Sequence, residues 1–180
     1  MSRFLIPLGV FAMLAVVLAI GIEHSPEKGL IVSPLLGKAA PQFSLPSLAD
    51  PAHVVRSGDL KGRWYLFNVW ATWCGECRAE HDMLLTVSRS GAVPLIGLDW
   101  KDDDAQALGW LQQLGNPYQV VAVDRTGQVA IDWGVYGAPE TFLVNPQGVI
   151  VYKHVGALTY DTWTREILPR LPGAARGGSS

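Results

Sequence analysis

The chain has 180 residues, enough for one domain of roughly 140 residues with extensions. A net charge of −2 and the lack of any basic stripe argue against nucleic-acid binding. Apolar residues make up 49%, partly because of the first segment, and seven tryptophans are many for this size; a well-packed core with a few aromatics near a binding groove accounts for them.

Phe4 to Ile22 is apolar and uncharged, and at about 1.5 Å per helical residue it just spans a bilayer. Arg3 precedes it and Glu23 and His24 follow, so the basic end stays inside and the rest of the chain faces out. A cleaved signal peptide is the alternative. The run is long for its apolar region and no Ala-x-Ala site closes it, so the expectation is an uncleaved anchor over residues 1–24. Pro7 is tolerable near the helix start. Pro26, Gly29 and Pro34 make residues 25–36 a linker, leaving a domain over 37–172 and a small, polar, disordered tail over 173–180.

Pro41 to Pro46 reads as an edge strand because of its prolines, and His53–Val55 as a short strand within a loop. Tyr65–Trp70 is short, β-branched and aromatic, and reads as a buried strand. Arg78 to Ser88 lacks Gly and Pro and reads as a helix. A second buried strand follows at 94–98. Asp102, Asp103 and Asp104 open a helix carrying Ala107, Leu108, Leu111 and Leu114 and ending at Gly115; carboxylates there suit the helix dipole. Val120–Val123 is a third strand and 127–133 a short helix. Residues 140–145 and 149–155 form a hairpin around Pro146, Gln147 and Gly148. Tyr160 to Leu171 is a closing helix with Trp163, Ile167 and Leu171 on one face. Strands alternating with helices, then a hairpin and a last helix, predict an α/β domain with a central mixed sheet flanked on both faces.

The two cysteines of the chain, Cys74 and Cys77, sit three apart where the first core strand gives way to a helix. Unpaired N–H groups at the helix start favour a Cys74 thiolate, and Cys77 lies one turn on, within reach of a disulfide. A structural bridge this short closes almost no loop. Zinc needs about four ligands, and the chain offers two Cys and four scattered His. A c-type haem site needs His after the second Cys, where Arg78 stands. The favoured reading is a dithiol that cycles between reduced and oxidised states, with metal or structure as the remainder. A redox pair at this point is what a thioredoxin-like fold provides.

The segment from Phe67 to His81, around Trp73-Cys74-Gly75-Glu76-Cys77, resembles the active site of membrane-anchored thioredoxin-like proteins. Gly134-Val135-Tyr136-Gly137-Ala138-Pro139-Glu140-Thr141-Phe142 narrows the likeness to the CcmG/DsbE family of cytochrome c maturation, and Trp100–Asp103 and Leu114–Tyr118 are similar to that group as well. The resemblance spans roughly residues 35–171. It implies a bacterial inner-membrane protein with its domain in the periplasm and no cofactor beyond the Cys74–Cys77 disulfide. It also implies apocytochrome c or a CcmH-like thiol protein as partner, and a DsbD/CcdA-like membrane thiol transporter as electron donor. Cys74 attacks and Cys77 resolves. Pro139 matches the family's cis-proline, with the Ala138 backbone free to pair with a peptide strand. Glu80 and Glu140 match its active-site acids. Trp73, Gly75, Glu76, Ala138 and Tyr136 line the substrate side, with Trp73 covering the disulfide. Asn68 stands where thioredoxins carry a titrating Asp, so Glu80 or Glu140 must help deprotonate Cys77. Glu76, where relatives carry Pro or another uncharged residue, is a departure. Glu76, Glu80 and Glu140 are expected to oppose the thiolate and make the couple a reductant. A general periplasmic thioredoxin or disulfide oxidant is the alternative function, and a non-catalytic binding module a more distant one.

Overall fold

A computed structural model of the protein describes residues 2–23 and 34–172. Most of the predicted linker and all of the predicted tail lie outside these residues. The chain divides into two compact units, Met1–Val32 and Ser33–Ser180. In the first, the predicted apolar helix forms as α1, Ser2–Glu23. Its described side chains, at 6–11 and 13–18, are apolar and exposed. Among the described residues no helix is long and apolar enough to cross a membrane.

The second unit begins before the predicted residue 37, because Leu35 already packs on its core and Gly37 N–H bonds the Ile150 carbonyl. β1 (Ser44–Pro46) pairs antiparallel with β2 (Val54–Arg56), joining the two short strands read from the sequence into a hairpin. The main sheet has five strands: β3 (Tyr65–Trp70), β4 (Leu95–Trp100), β5 (Val120–Asp124), β6 (Glu140–Val144) and β7 (Ile150–Val155). Their order is β5-β4-β3-β6-β7, parallel from β3 through β5 and antiparallel from β3 through β7. The fold is thioredoxin-like.

β3 is the middle strand and is buried at every position, as its unbroken apolar run requires. Alternation sends Leu66, Asn68 and Trp70 to one face. There α2 (Gly75–Ser90) and α3 (Asp104–Leu114) cover the sheet with Leu84, Val87, Ala107 and Leu111. Phe67 and Val69 turn to the other face, beneath α4 (Gln128–Asp132), where the Phe67 and Trp133 rings stack at 4.1 Å.

The closing helix differs from the reading of one segment over 160–171. α5 (Tyr160–Thr162) passes into a wide π turn at Trp163–Ile167 and a tight 3-10 turn at Leu168–Arg170. Pro169 lacks the N–H that would bond the Arg165 carbonyl, so a regular helix cannot continue through it. Trp163, Ile167 and Leu171 are nonetheless buried together, as their spacing predicts.

Candidate active site

Cys74 is the N-cap of α2 and is joined to Cys77 by a disulfide. The Cys74 Sγ accepts the Cys77 N–H at 3.0 Å, so the helix start directs a backbone donor at the sulfur. The helix begins at Gly75 rather than Arg78, which puts both cysteines at its first turn. Gly75 and Glu76 are exposed in that turn, and Arg78 turns its guanidinium over the Trp110 ring, 5.4 Å from its centre.

The buried stripe of α2 runs Cys77, Glu80, His81, Leu84, Val87, so Glu80 sits one turn beyond the resolving cysteine on the same face. It is 1% exposed. Its Oε1 accepts from Asn68 Nδ2 at 2.9 Å and its Oε2 from the Leu158 N–H at 2.6 Å. Asn68 also donates to Thr141 Oγ1 at 3.0 Å and accepts from the Tyr118 hydroxyl at 2.7 Å. Burial raises Glu80 from 4.5 to about 7, against the pull of the two hydrogen bonds and with a smaller push from Glu76. Burial, with Glu80 and Asp99 nearby, holds the Tyr118 phenol well above its ordinary value.

Glu140 occupies a different setting. It is fully buried, its Oε2 lies 2.8 Å from Lys153 Nζ, and its Oε1 accepts the Tyr136 N–H at 3.1 Å. Its charge is already matched by the ammonium. Glu80 is buried beside Cys77 and its carboxyl is raised by that burial, whereas Glu140 is ion-paired with Lys153, and the expectation that Glu76, Glu80 and Glu140 act together on the thiolate is narrowed accordingly.

Val69 of β3 is paired with Glu140 of β6, so Pro139 lies level with the point where β3 leaves for the cysteine turn. The Ala138–Pro139 bond is cis, and Ala138 packs against the cluster that contains both cysteines. Tyr136, in the same loop, is 61% exposed.

Trp73 is 57% exposed and is held by the loop after β4: its indole N–H donates to the Lys101 carbonyl at 3.2 Å and its ring meets Trp100 at 5.6 Å. The adjacent Thr72 donates its hydroxyl to Asp102 Oδ1 at 2.7 Å and its N–H to Oδ2. The acidic triplet therefore divides its work. Asp103 is the N-cap of α3, accepting from Ala105 and Gln106; Asp102 grips the cysteine turn; Asp104 pairs with Arg125. Behind them Asp99 is fully buried in β4, raised to about 8 by burial and then by the Asp102 and Asp104 carboxylates, with Arg125 pulling the other way. Among the described residues no group of three His, Cys, Asp or Glu could hold a metal ion.

Residues 35–167 match the Redoxin family. The chain is 47% identical over 168 residues to the thiol:disulfide interchange protein DsbE of Allochromatium vinosum, covering 93% of this chain and 92% of that one. It is 42% identical over 169 residues to DsbE of Escherichia coli K12, covering 92% and 91%. The chain belongs to the Redoxin family, among the DsbE thiol:disulfide interchange proteins. A solved DsbE-type structure from Chlorobium tepidum superposes with a TM-score of 0.59 at 28% identity, over 70% of this chain and 89% of that one.

As a DsbE-type thiol–disulfide oxidoreductase, the protein has its reactive pair where the sequence put it. Tyr118, Thr141, Leu158, Lys153 and Asp102 were not read as site residues. Tyr118, Thr141 and Asp102 carried a signal, as members of the Leu114–Tyr118, Gly134–Phe142 and Trp100–Asp103 stretches. Leu158 and Lys153 are brought in by the pairing of β6 with β7 and by the segment after β7, which local patterns do not report.

Proposed function

We propose that this protein is a reductant of cytochrome c maturation, anchored in the bacterial inner membrane with its redox domain in the periplasm. It keeps the haem-binding cysteines of apocytochrome c reduced, directly or through a CcmH-like thiol protein. Its electrons come from a DsbD/CcdA-like membrane thiol transporter, since an oxidising compartment supplies none. The likeness to DsbE proteins supports the reading, as does the apolar run Phe4–Ile22 for the anchor.

The observation that carries it is Glu80, a buried carboxyl raised to about 7, one turn past Cys77 in α2. In the proposed cycle the reduced Cys74 thiolate attacks one sulfur of a partner disulfide, forming a mixed disulfide and releasing the other partner sulfur as a thiolate that takes up a proton. The ionised fraction of Glu80 then accepts the Cys77 proton, directly or through one water. The Cys77 thiolate attacks Cys74 Sγ, closing the Cys74–Cys77 bond and releasing the second partner thiolate. The partner gains two electrons and the protein loses two. A carboxyl near neutrality suits this transfer. Asn68 cannot titrate, so it holds Glu80 in place and leaves the proton to it.

The reduction potential of the Cys74–Cys77 couple tests the reading. Reductants of this chemistry lie near thioredoxin, about −270 mV, and strong oxidants near about −120 mV. A value toward the thioredoxin end is expected. A value near the oxidant end overturns the reductant assignment in favour of a disulfide oxidant.

A further inference from the structure

Lys153 is the only lysine or arginine buried among the described residues, at 7% exposure. It stands in β7 directly opposite Phe142 of β6. A buried pair of charges is a poor device for stability, because desolvation offsets most of the attraction. Its geometry indicates another use. The Lys153 ammonium holds Glu140 Oε2 at 2.8 Å and donates to the Gly134 carbonyl at 2.8 Å. Glu140 in turn accepts the Tyr136 N–H at 3.1 Å. The pair thus ties down both ends of the three-residue stretch Gly134–Tyr136. The ammonium also lies 5.0 Å from the Tyr136 ring centre and 5.2 Å from that of Phe142, within cation–π range.

That stretch begins at Gly134, with φ +64, and runs through Gly137 to the cis Ala138–Pro139 bond. Two glycines in one short loop give it freedom that must be removed if its side chain is to sit in one place. Val135 is buried and fixes the backbone from below. Tyr136 is left presented outward, on the loop whose Ala138 packs against the cysteine cluster. Trp73, next to Cys74 in the chain, is likewise exposed and held, its indole N–H donating to the Lys101 carbonyl. Exposed, immobilised aromatics are good anchors for an extended polypeptide, since little rotamer entropy is lost on contact.

We propose that Lys153 is a positioning residue for partner recognition: through Glu140 and the Gly134 carbonyl it fixes Tyr136 as an anchor for a polypeptide whose disulfide is being reduced. This rests on the reading above that the partner is a polypeptide. Small disulfides, which do not reach Tyr136, are indifferent to it.

The full-length protein is assayed as a reductant of two probes, an oxidised synthetic Cys-x-x-Cys peptide and glutathione disulfide. Lys153→Met is expected to raise KM for the peptide about tenfold beyond any change in KM for glutathione disulfide, the equivalent of one lost anchoring contact, while any effect of the unpaired Glu140 on the couple falls on both probes alike. Lys153→Arg, which keeps the charge and both donors, is expected to restore the peptide KM. Tyr136→Ala is expected to raise the peptide KM as far as Lys153→Met does, with no further rise in the double variant. If Lys153→Met does not fold, Lys153→Gln retains a donor for the Gly134 carbonyl and is read in its place. A peptide KM unchanged in the folded variant, or an equal loss against both probes, overturns the role of Lys153 alone. A wild-type protein with no preference for the peptide over glutathione disulfide overturns the reading of a polypeptide partner as well.

Discussion

Asn68 and Glu80 meet at 2.9 Å between a strand and a helix, each cut off from solvent, and the Leu158 N–H closes the second oxygen of the carboxylate. Each donor favours the ionised form, yet burial outweighs them and leaves Glu80 at about 7. The group is therefore shared between its two protonation states near neutrality. Glu80→Gln keeps the size and the contact with Asn68 but cannot take a proton. The closing of the Cys74–Cys77 bond from a mixed disulfide should slow about a hundredfold, the usual scale for a lost general base. In wild type that rate should rise with pH through about 7 as Glu80 ionises, and Glu80→Gln should flatten the profile in that range. Single-turnover release of a labelled thiol against pH measures both. A wild-type profile without a step near 7 would remove Glu80 from the proton path.

The same burial predicts how stability responds to pH. Glu80 moves from 4.5 to about 7 on folding and Asp99 from 3.8 to about 8. Between the lower and upper values the folded state binds more protons than the unfolded one. Stability from these groups is thus fully present below the lower values and is lost as pH rises through the upper ones. For Glu80 the loss is on the order of 3 kcal/mol across its window. Urea midpoints should fall between pH 5 and pH 9 in wild type, and fall less in Glu80→Gln and in Asp99→Asn. Equal slopes in all three proteins would show that neither carboxyl is held neutral.

Gly97 lies in β4 beneath this network. A methyl group there would come within 2.9 Å of Trp70 Nε1, 3.1 Å of Tyr118 Cγ and 3.1 Å of Val121 Cγ2. All three belong to buried residues with nowhere to retreat. Gly97→Ala should lower stability by about 1–3 kcal/mol, as overpacking does. Displacing Tyr118 should also loosen Asn68, so the resolving rate should fall along with the urea midpoint. A neutral Gly97→Ala would mean that the sheet spreads easily at this point.

The roles of the two sulfurs differ in a way that single substitutions separate. In the proposed cycle Cys74, at the N-cap with a backbone donor directed at its sulfur, supplies the attacking thiolate. Cys74→Ser should abolish thiol exchange, whereas Cys77→Ser should accumulate mixed disulfides with partner proteins. Non-reducing gels after trapping in cells distinguish the outcomes. If Cys74→Ser were the variant that trapped partners, the assignment of attacking and resolving sulfurs would be reversed.

How far the sequence could be read depended on whether a residue's partner was close along the chain. β3, the start of α2 and the β6–β7 hairpin follow from local apolar runs and turns, and the cysteine pair announces itself. The proline–glutamate segment folds next to the cysteine cluster, but its local sequence did not show its electrostatics: the cation facing Glu140 is Lys153, brought near by pairing of β6 with β7. Asp102 looked like one of three dipole-matching acids, and its grip on Thr72 depends on how the loop after β4 meets the cysteine turn. Pro169 was visible, yet the spacing of Trp163, Ile167 and Leu171 masked its effect on the closing helix. What escaped at Glu140 and at Asp102 was a contact between segments far apart in the chain.

The final prediction concerns redox poise. A couple becomes more oxidising when its reduced, thiolate form is stabilised. Donors at the start of α2 stabilise the Cys74 thiolate, and a nearby negative charge opposes it. Glu76 is exposed and its charge is screened by water and salt. Glu140 is matched by Lys153. Glu80 is left as the effective acid, and only when it is ionised. Its influence should therefore depend on pH in a definite sense. At pH 6 Glu80 is mostly protonated, and Glu80→Gln should have the same potential as wild type. At pH 8 it is mostly charged, and Glu80→Gln should be the more oxidising protein, while Glu76→Gln should differ little from wild type at either pH. Glutathione equilibration at pH 6, 7 and 8 measures the difference directly. A gap between Glu80→Gln and wild type that is as large at pH 6 as at pH 8 would mean that the substitution acts through packing rather than through charge.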